Sequence, residues 1–87
     1  MSYQIILLNS ARKDLDNLDK QKQQRVIDRL TKLETDPLDA SVSKPLVNAQ
    51  ARTSRVGDWR IIYEVSLEDR TVSVRYVRHR REVYRLL

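Results

Sequence analysis

The chain has 87 residues, of which 25 are Ile, Leu or Val, well above the fifth or so below which a chain tends to disorder, so residues 1–87 are expected to form a single domain. A domain this short buries only about 60% of the surface its unfolded chain exposes, so an enclosed cofactor cavity is not expected and any active site should be a shallow surface; the absence of cysteine excludes disulfides, thiolate zinc sites and Cys nucleophiles, and a single histidine, His79, excludes a multi-histidine metal centre. The net charge is +5, no apolar run exceeds four residues, and no basic-then-apolar leader opens the chain, which together predict a soluble cytoplasmic protein with no membrane partner, no cofactor and no metal.

In chain order, Tyr3 to Leu8 is a short apolar run rich in β-formers, followed by Asn9 and Ser10, two side chains suited to capping a helix. Leu15 and Leu18, then Val26, Ile27, Leu30 and Leu33, recur at helical spacings around a break at Asn17 and Asp19. This predicts a helical hairpin whose second arm runs from about Asp19 to Thr35 and is stopped by Asp36-Pro37. Residues 38–50 contain Pro45 and little periodicity and are expected to be a connecting loop that carries Lys44.

From Arg52 onward the period becomes two. Trp59, Ile61, Tyr63 and Val65 alternate with Arg60, Ile62 and Glu64, and Val72, Val74 and Tyr76 alternate with Ser73 and Arg75, with a turn at Leu67 to Arg70 between the two strands. An earlier short strand ends at Val56. Gly57-Asp58 supplies the next turn, with the chain's one glycine at a position suited to a left-handed backbone. The tail from Arg80 to Leu87 is either a last helical turn or an extended end. A strand, two helices and then three antiparallel strands make an α+β layer pair, with the helices on one face of a twisted, mainly antiparallel sheet.

Charge is distributed unevenly. Residues 1–41 hold seven basic and seven acidic side chains, and residues 42–87 hold ten basic and five acidic, nine of the ten being arginine. A planar, permanently protonated guanidinium suits phosphate oxygens and stacks on bases better than an ammonium does, so the partner should be a polyanion, nucleic acid above all. Arg60 and Arg75 fall on the strand face opposite the aromatic and Val stripes, and with Arg55, Arg80, Tyr84 and Lys44 they predict a cationic groove on the uncovered side of the sheet, edged by a tyrosine. Arg60 could instead be an ordinary cross-strand partner of Glu64 or another acid. The helical cations Arg12, Lys13, Lys20, Lys22, Arg25, Arg29 and Lys32 alternate with acids and read as solvated scaffold or a partner-contact surface. Trp59 reads as a packing residue, and His79 as packing or capping.

The segment Arg55-Val56-Gly57-Asp58-Trp59-Arg60-Ile61-Ile62-Tyr63-Glu64-Val65, followed by Val74 to Val77 and His79-Arg80-Arg81-Glu82-Val83-Tyr84-Arg85, resembles the toxins of the RelE/ParE superfamily of type II toxin–antitoxin systems. The resemblance implies a microbial-ribonuclease-like, RelE-type fold and, for the RelE branch, ribosome-dependent cleavage of mRNA in the ribosomal A site. It implies as partners the mRNA, the ribosome with its rRNA, and a cognate RelB-like antitoxin, with operator DNA reached only through the antitoxin complex. Carried over by position, Arg60, Arg80 and Tyr84 are the expected catalytic residues; Lys44, Arg52, Arg55, Arg75, Arg78 and Arg81 are the expected RNA-binding set. Thr53 stands where many members carry a basic residue, and Arg78 replaces a common glycine.

Cutting RNA without a metal needs a base for the ribose 2′-OH, an acid for the departing 5′-oxygen and a clamp for the phosphoryl charge. Arginine clamps are the main resource of this sequence, and Tyr84 is the candidate proton carrier. Two alternatives stand beside this reading: a ParE-like toxin that poisons DNA gyrase without cutting RNA, and a nucleic-acid-binding corepressor with no toxicity.

Overall fold

The computed structural model describes residues 2–46 and 50–86, apart from the side chains of Tyr84 and Leu86. Residues 47–49 of the expected loop and Leu87 of the expected tail lie outside the described residues. The order is β1 (Gln4–Leu7), α1 (Asn9–Asp16), α2 (Lys20–Thr35), β2 (Lys44–Pro45), β3 (Arg52–Val56), β4 (Trp59–Ser66), β5 (Thr71–His79) and α3 (Arg80–Leu86). The strands form one sheet in the order β1-β5-β4-β3-β2, parallel between β1 and β5 and antiparallel elsewhere, so the chain is α+β as its patterning predicts.

Helix entry differs from expectation at the first helix. Asn9 and Ser10 do not cap α1; they are already helical, and Leu8 occupies the cap position with extended backbone and no side-chain hydrogen bond. Sheet pairing is the reason. The Leu8 N–H donates to the Val74 carbonyl at 3.0 Å while the Leu8 carbonyl accepts from the Arg12 N–H at 2.9 Å, so the last rung of the β1–β5 ladder is also the first turn of the helix. At α2, Asp19 is the cap: its Oδ1 accepts the Lys22 N–H at 2.9 Å, and that bond holds its carboxyl below the usual range.

Ala11, Leu18, Val26, Leu30 and Leu33 pack against Val56, Ile61, Tyr63, Val72, Val74 and Val77 to form the core. Ile27, expected on the same stripe, is 43% exposed, because it sits one position off the Val26–Leu30–Leu33 spacing that faces the sheet.

The strand phase also departs from strict alternation. Ile62 pairs with Tyr76 and Tyr63 pairs with Val74, which leaves Arg75 as the extra residue of a β-bulge. The bulge moves Tyr76, expected beside Val72 and Val74, onto the opposite face, and brings Val77 into the core in its place. One face, hereafter inner, carries the pairs Trp59/His79, Ile61/Val77, Tyr63/Val74 and Val65/Val72; the outer face carries Arg60/Arg78, Ile62/Tyr76 and Glu64/Ser73.

Tyr63 anchors the loop before β2. It is fully buried, and its hydroxyl donates to the Pro37 carbonyl at 2.7 Å. A phenol has one proton, so the Ser43 hydroxyl must donate to the Tyr63 oxygen, and Ser43 Oγ in turn accepts from Arg52 Nε at 2.7 Å. Tyr63→Phe leaves the Pro37 carbonyl and the Ser43 proton without partners in the core. It is expected to destabilise the fold by about 1–3 kcal/mol, measured by chemical denaturation; a change below about 0.5 kcal/mol would show that the relay holds nothing.

Candidate nucleic-acid interface

The β3–β4 turn organises the site. Val56 pairs with Trp59 across a two-residue loop, and Gly57 takes φ +60° at its first central position, the place where a type II′ hairpin turn favours glycine. A Cβ there would also come within 3.1 Å of the Arg25 guanidinium. Arg60, just beyond this turn, folds back over it: its Nη1 donates to the Gly57 and Trp59 carbonyls, each at 2.9 Å. It does not pair with Glu64, which instead binds Arg75 at 2.7 Å.

The start of α3 docks on the same turn. The Arg80 N–H donates to the Asp58 carbonyl at 2.8 Å, and the Arg81 N–H donates to His79 Nδ1 at 3.3 Å, so His79 caps the first turn of the helix. The His79 ring also meets Trp59 edge-on at 5.6 Å, and the Lys22 ammonium lies 5.9 Å from the Trp59 ring; Trp59 is a packing residue here. The tail is thus helical, the first of the two options its sequence leaves open. Its contacts with β4 and β5, and the burial of Ile62 and Val83 outside the main core, lay α3 over part of the outer face that was expected to be uncovered.

Strand pairing then brings the arginines together. Arg55 is the partner of Arg60, and Arg60 of Arg78, which makes a row of three guanidinium side chains across adjacent strands on the outer face. Lys44 pairs with Thr53, which pairs with Ile62, in the row beside it. Like charges directly opposite one another destabilise a sheet, so this row needs counter-charge. Arg78 finds it inside the protein: its Nε binds Asp14 Oδ2 at 2.6 Å and its Nη1 lies 3.7 Å from Glu82. Hydrogen bonding to Asp14 raises the Arg78 pKa above its ordinary value, and its guanidinium covers the Tyr76 ring at 5.0 Å. Arg55 is exposed.

The expected residues are therefore placed as follows. The Arg60 guanidinium and the Arg80 backbone N–H both bind the β3–β4 turn, with Arg55 opposite Arg60 and the Arg80 and Arg81 side chains exposed at the start of α3. Tyr84 has its backbone in α3, and its side chain is outside the described residues. Lys44 lies in β2 rather than in a loop, on the same face as Arg55.

Three of the residues expected to bind RNA have partners within the protein. Arg52 pairs with Tyr63 on the inner face and is bound to Ser43, because the two-residue period of β3 sends it away from Arg55's row by an odd number of positions. Arg75 sits on the bulge, tied to Glu64. Arg78 is held by Asp14 and serves the fold before any ligand. Asp14, which the sequence does not mark out, also accepts the Val77 N–H at 3.0 Å, closing the edge of β5 beyond the end of β1. Among the described residues no cluster of His, Cys, Asp or Glu could hold a metal ion, and no helix is long and apolar enough to cross a membrane.

The family model described as the ParE toxin of the type II toxin–antitoxin system, parDE, matches residues 5–84. No curated protein matches the chain. Among solved structures, the RelBE2 toxin–antitoxin complex of Mycobacterium tuberculosis contains a chain 29% identical, with a TM-score of 0.82, covering 91% of this chain and 99% of its own. The archaeal RelE–RelB complex of Pyrococcus horikoshii OT3 matches at 22% identity and a TM-score of 0.76, covering 92% and 97%. The isolated E. coli RelE toxin matches at 17% and 0.77, covering 99% and 100%; at such identities these last two establish a shared RelE-type fold. With a family model spanning nearly the whole of this α+β chain, the protein belongs to the ParE toxin family and is a type II toxin of the RelE/ParE superfamily.

Proposed function

We propose that this toxin is a ribosome-dependent endoribonuclease that cuts mRNA in the ribosomal A site without a metal ion and is neutralised by a RelB-like antitoxin. The observation that supports the reading is the convergence on one turn of the Arg60 guanidinium, bound to the Gly57 and Trp59 carbonyls, and the start of α3 at Arg80, with Arg55 opposite Arg60 on the neighbouring strand. In the reaction the ribose 2′-oxygen attacks its own phosphorus, the bond to the 5′-oxygen breaks, and the products are a 2′,3′-cyclic phosphate and a 5′-hydroxyl. Arg60 stabilises the charge that develops on the phosphoryl oxygens, and Arg80 serves the phosphate and the leaving-oxygen side. Tyr84 takes or returns the proton. Proton transfer contributes only about 10²–10⁴-fold, so the message must be delivered in a reactive geometry, and the ribosome supplies that orientation.

The name of the matching family favours one second reading, a toxin that poisons DNA gyrase on the same scaffold. Primer extension on a reporter mRNA, in a purified translation system with added toxin, separates the two. The endoribonuclease reading expects cuts at fixed positions within codons, and little cutting of the same RNA free of ribosomes. Intact message together with lost gyrase supercoiling would replace it with the gyrase reading.

A further inference from the structure

The last helix, α3, has seven residues, too few to be stable alone in water, so its place depends on what fastens its start. The Arg80 N–H donates to the Asp58 carbonyl at 2.8 Å, the Arg81 N–H donates to His79 Nδ1 at 3.3 Å, and Val83 is buried. Of these ties, the imidazole is the one that acid can undo. Ser, Thr, Asn and Asp are the ordinary side chains at a helix entrance, and each keeps its acceptor oxygen through the neutral and mildly acidic range. A ring nitrogen accepts a backbone N–H only while it carries no proton of its own; in the charged imidazole both nitrogens are donors. His79 is the chain's single histidine, and imidazoles take up that proton between about pH 8 and pH 5.

The surroundings of the ring oppose a second proton in the docked helix. Trp59 of β4 meets it edge-on, and Lys22 of α2 lies 5.9 Å from the Trp59 ring. Arg78 precedes it on β5, Arg80 and Arg81 follow it on α3, and the Arg60 guanidinium is held on the adjoining turn. Of the acids on the same elements, Asp14 of α1 and Glu82 of α3 pair with Arg78, and Asp58 lies in the turn that receives Arg80. Protonation therefore sets a donor against the Arg81 N–H and adds positive charge at a helix entrance, which is already the positive end of the backbone dipole. Both effects act to release α3. The tie is whole above the imidazole range and lost as pH falls through it.

We propose that His79 is a positioning residue that fixes α3 against the β3–β4 turn while its ring is neutral and releases the helix when the ring is protonated. The inference rests on the endoribonuclease reading for its consequence: α3 carries Arg80 and Tyr84, so mild acid displaces both relative to Arg60 and slows cutting.

The test follows the helical Cα chemical shifts of Glu82, Val83 and Tyr84, and the ring resonances of His79, in the full chain from pH 8 to pH 5. A helix cap changes the helix equilibrium about fivefold, and a short helix near balance then loses about half of its population. The wild-type shifts are expected to fall by about half, with the same midpoint as the His79 ring, while those of Ile61 in the core stay constant. His79→Asn supplies an acceptor that does not titrate and is expected to hold α3 at every pH; His79→Ala is expected to show the weakened helix even at pH 8. In ribosome-dependent cutting, the wild-type rate divided by that of His79→Asn, a ratio in which the ribosome's own pH dependence cancels, is expected to be near one at pH 8 and about twofold lower at pH 5.5. Wild-type α3 shifts that ignore the His79 midpoint overturn the proposal without recourse to any variant. An equal pH response in His79→Asn overturns it as well, and so does lost cutting in His79→Asn at pH 8 with α3 intact, which would give the ring a part in the proton transfer. An α3 that follows His79 in a protein that cuts no message retains the positioning role and overturns the endoribonuclease reading instead.

Discussion

Arg60→Ala is expected to abolish growth arrest on expression and to slow ribosome-dependent cutting about 10²–10³-fold, equivalent to about 3–4 kcal/mol of transition-state stabilisation. The Arg60 guanidinium is braced by the carbonyls of Gly57 and Trp59, and a braced donor gives up little order when phosphoryl charge develops beside it. The same bonds mean that removing Arg60 also loosens the turn, by about 1 kcal/mol for two partly solvated hydrogen bonds. Tm and cutting rate must therefore be measured on the same preparation. Arg60→Lys keeps the charge but not the planar fork, and is expected to recover stability better than rate. Wild-type toxicity in Arg60→Ala, at equal protein level, would remove Arg60 from the chemistry and with it the main support for the nuclease.

The largest effect on stability is expected at Asp14. Its carboxylate binds the Arg78 guanidinium at 2.6 Å and the Val77 N–H at 3.0 Å, with only 12% of its side chain exposed and 28% of Arg78's. Asp14→Ala leaves Arg78 beside Arg60 with only the more distant Glu82 as counter-charge, and uncaps the edge of β5. Breaking a fully buried pair costs about 3–5 kcal/mol; for this partly solvated one about 2–3 kcal/mol is expected, a fall in Tm of about 10 °C or more in a domain of this size. Asp14→Asn keeps an acceptor for Val77 but loses the charge, and should fall between wild type and Asp14→Ala. Denaturation midpoints that match wild type in both variants would show that the clasp contributes nothing.

These two predictions differ in how far the sequence foretells them. Arg60 is legible because a glycine-containing turn, an aromatic residue and an arginine follow one another directly, and a two-residue period assigns the arginine to the face away from the core. Asp14 carries no such signal. It is one acid among several on a helix, and its partner lies 64 residues on. Thr53 is legible only as a departure from a basic position; that its hydroxyl is buried and, among the described residues, has no hydrogen-bond partner depends on the strands paired on either side of it rather than on its neighbours in sequence.

Local pattern alone was enough for the α+β class, the helical stripe of Val26, Leu30 and Leu33, the Gly57 turn and the concentration of arginine in the second half, since each depends on residues within a few positions of one another. Tertiary structure decided the rest. A bulge at Arg75 reversed the phase of β5 and exchanged Tyr76 for Val77 in the core, pairing put Arg52 on the opposite face from Arg55, and the sheet edge drew Arg78 to Asp14. In a strand every side chain's face follows from counting by two, so one extra residue redirects all that come after it, and only the partner strand determines where that residue is inserted.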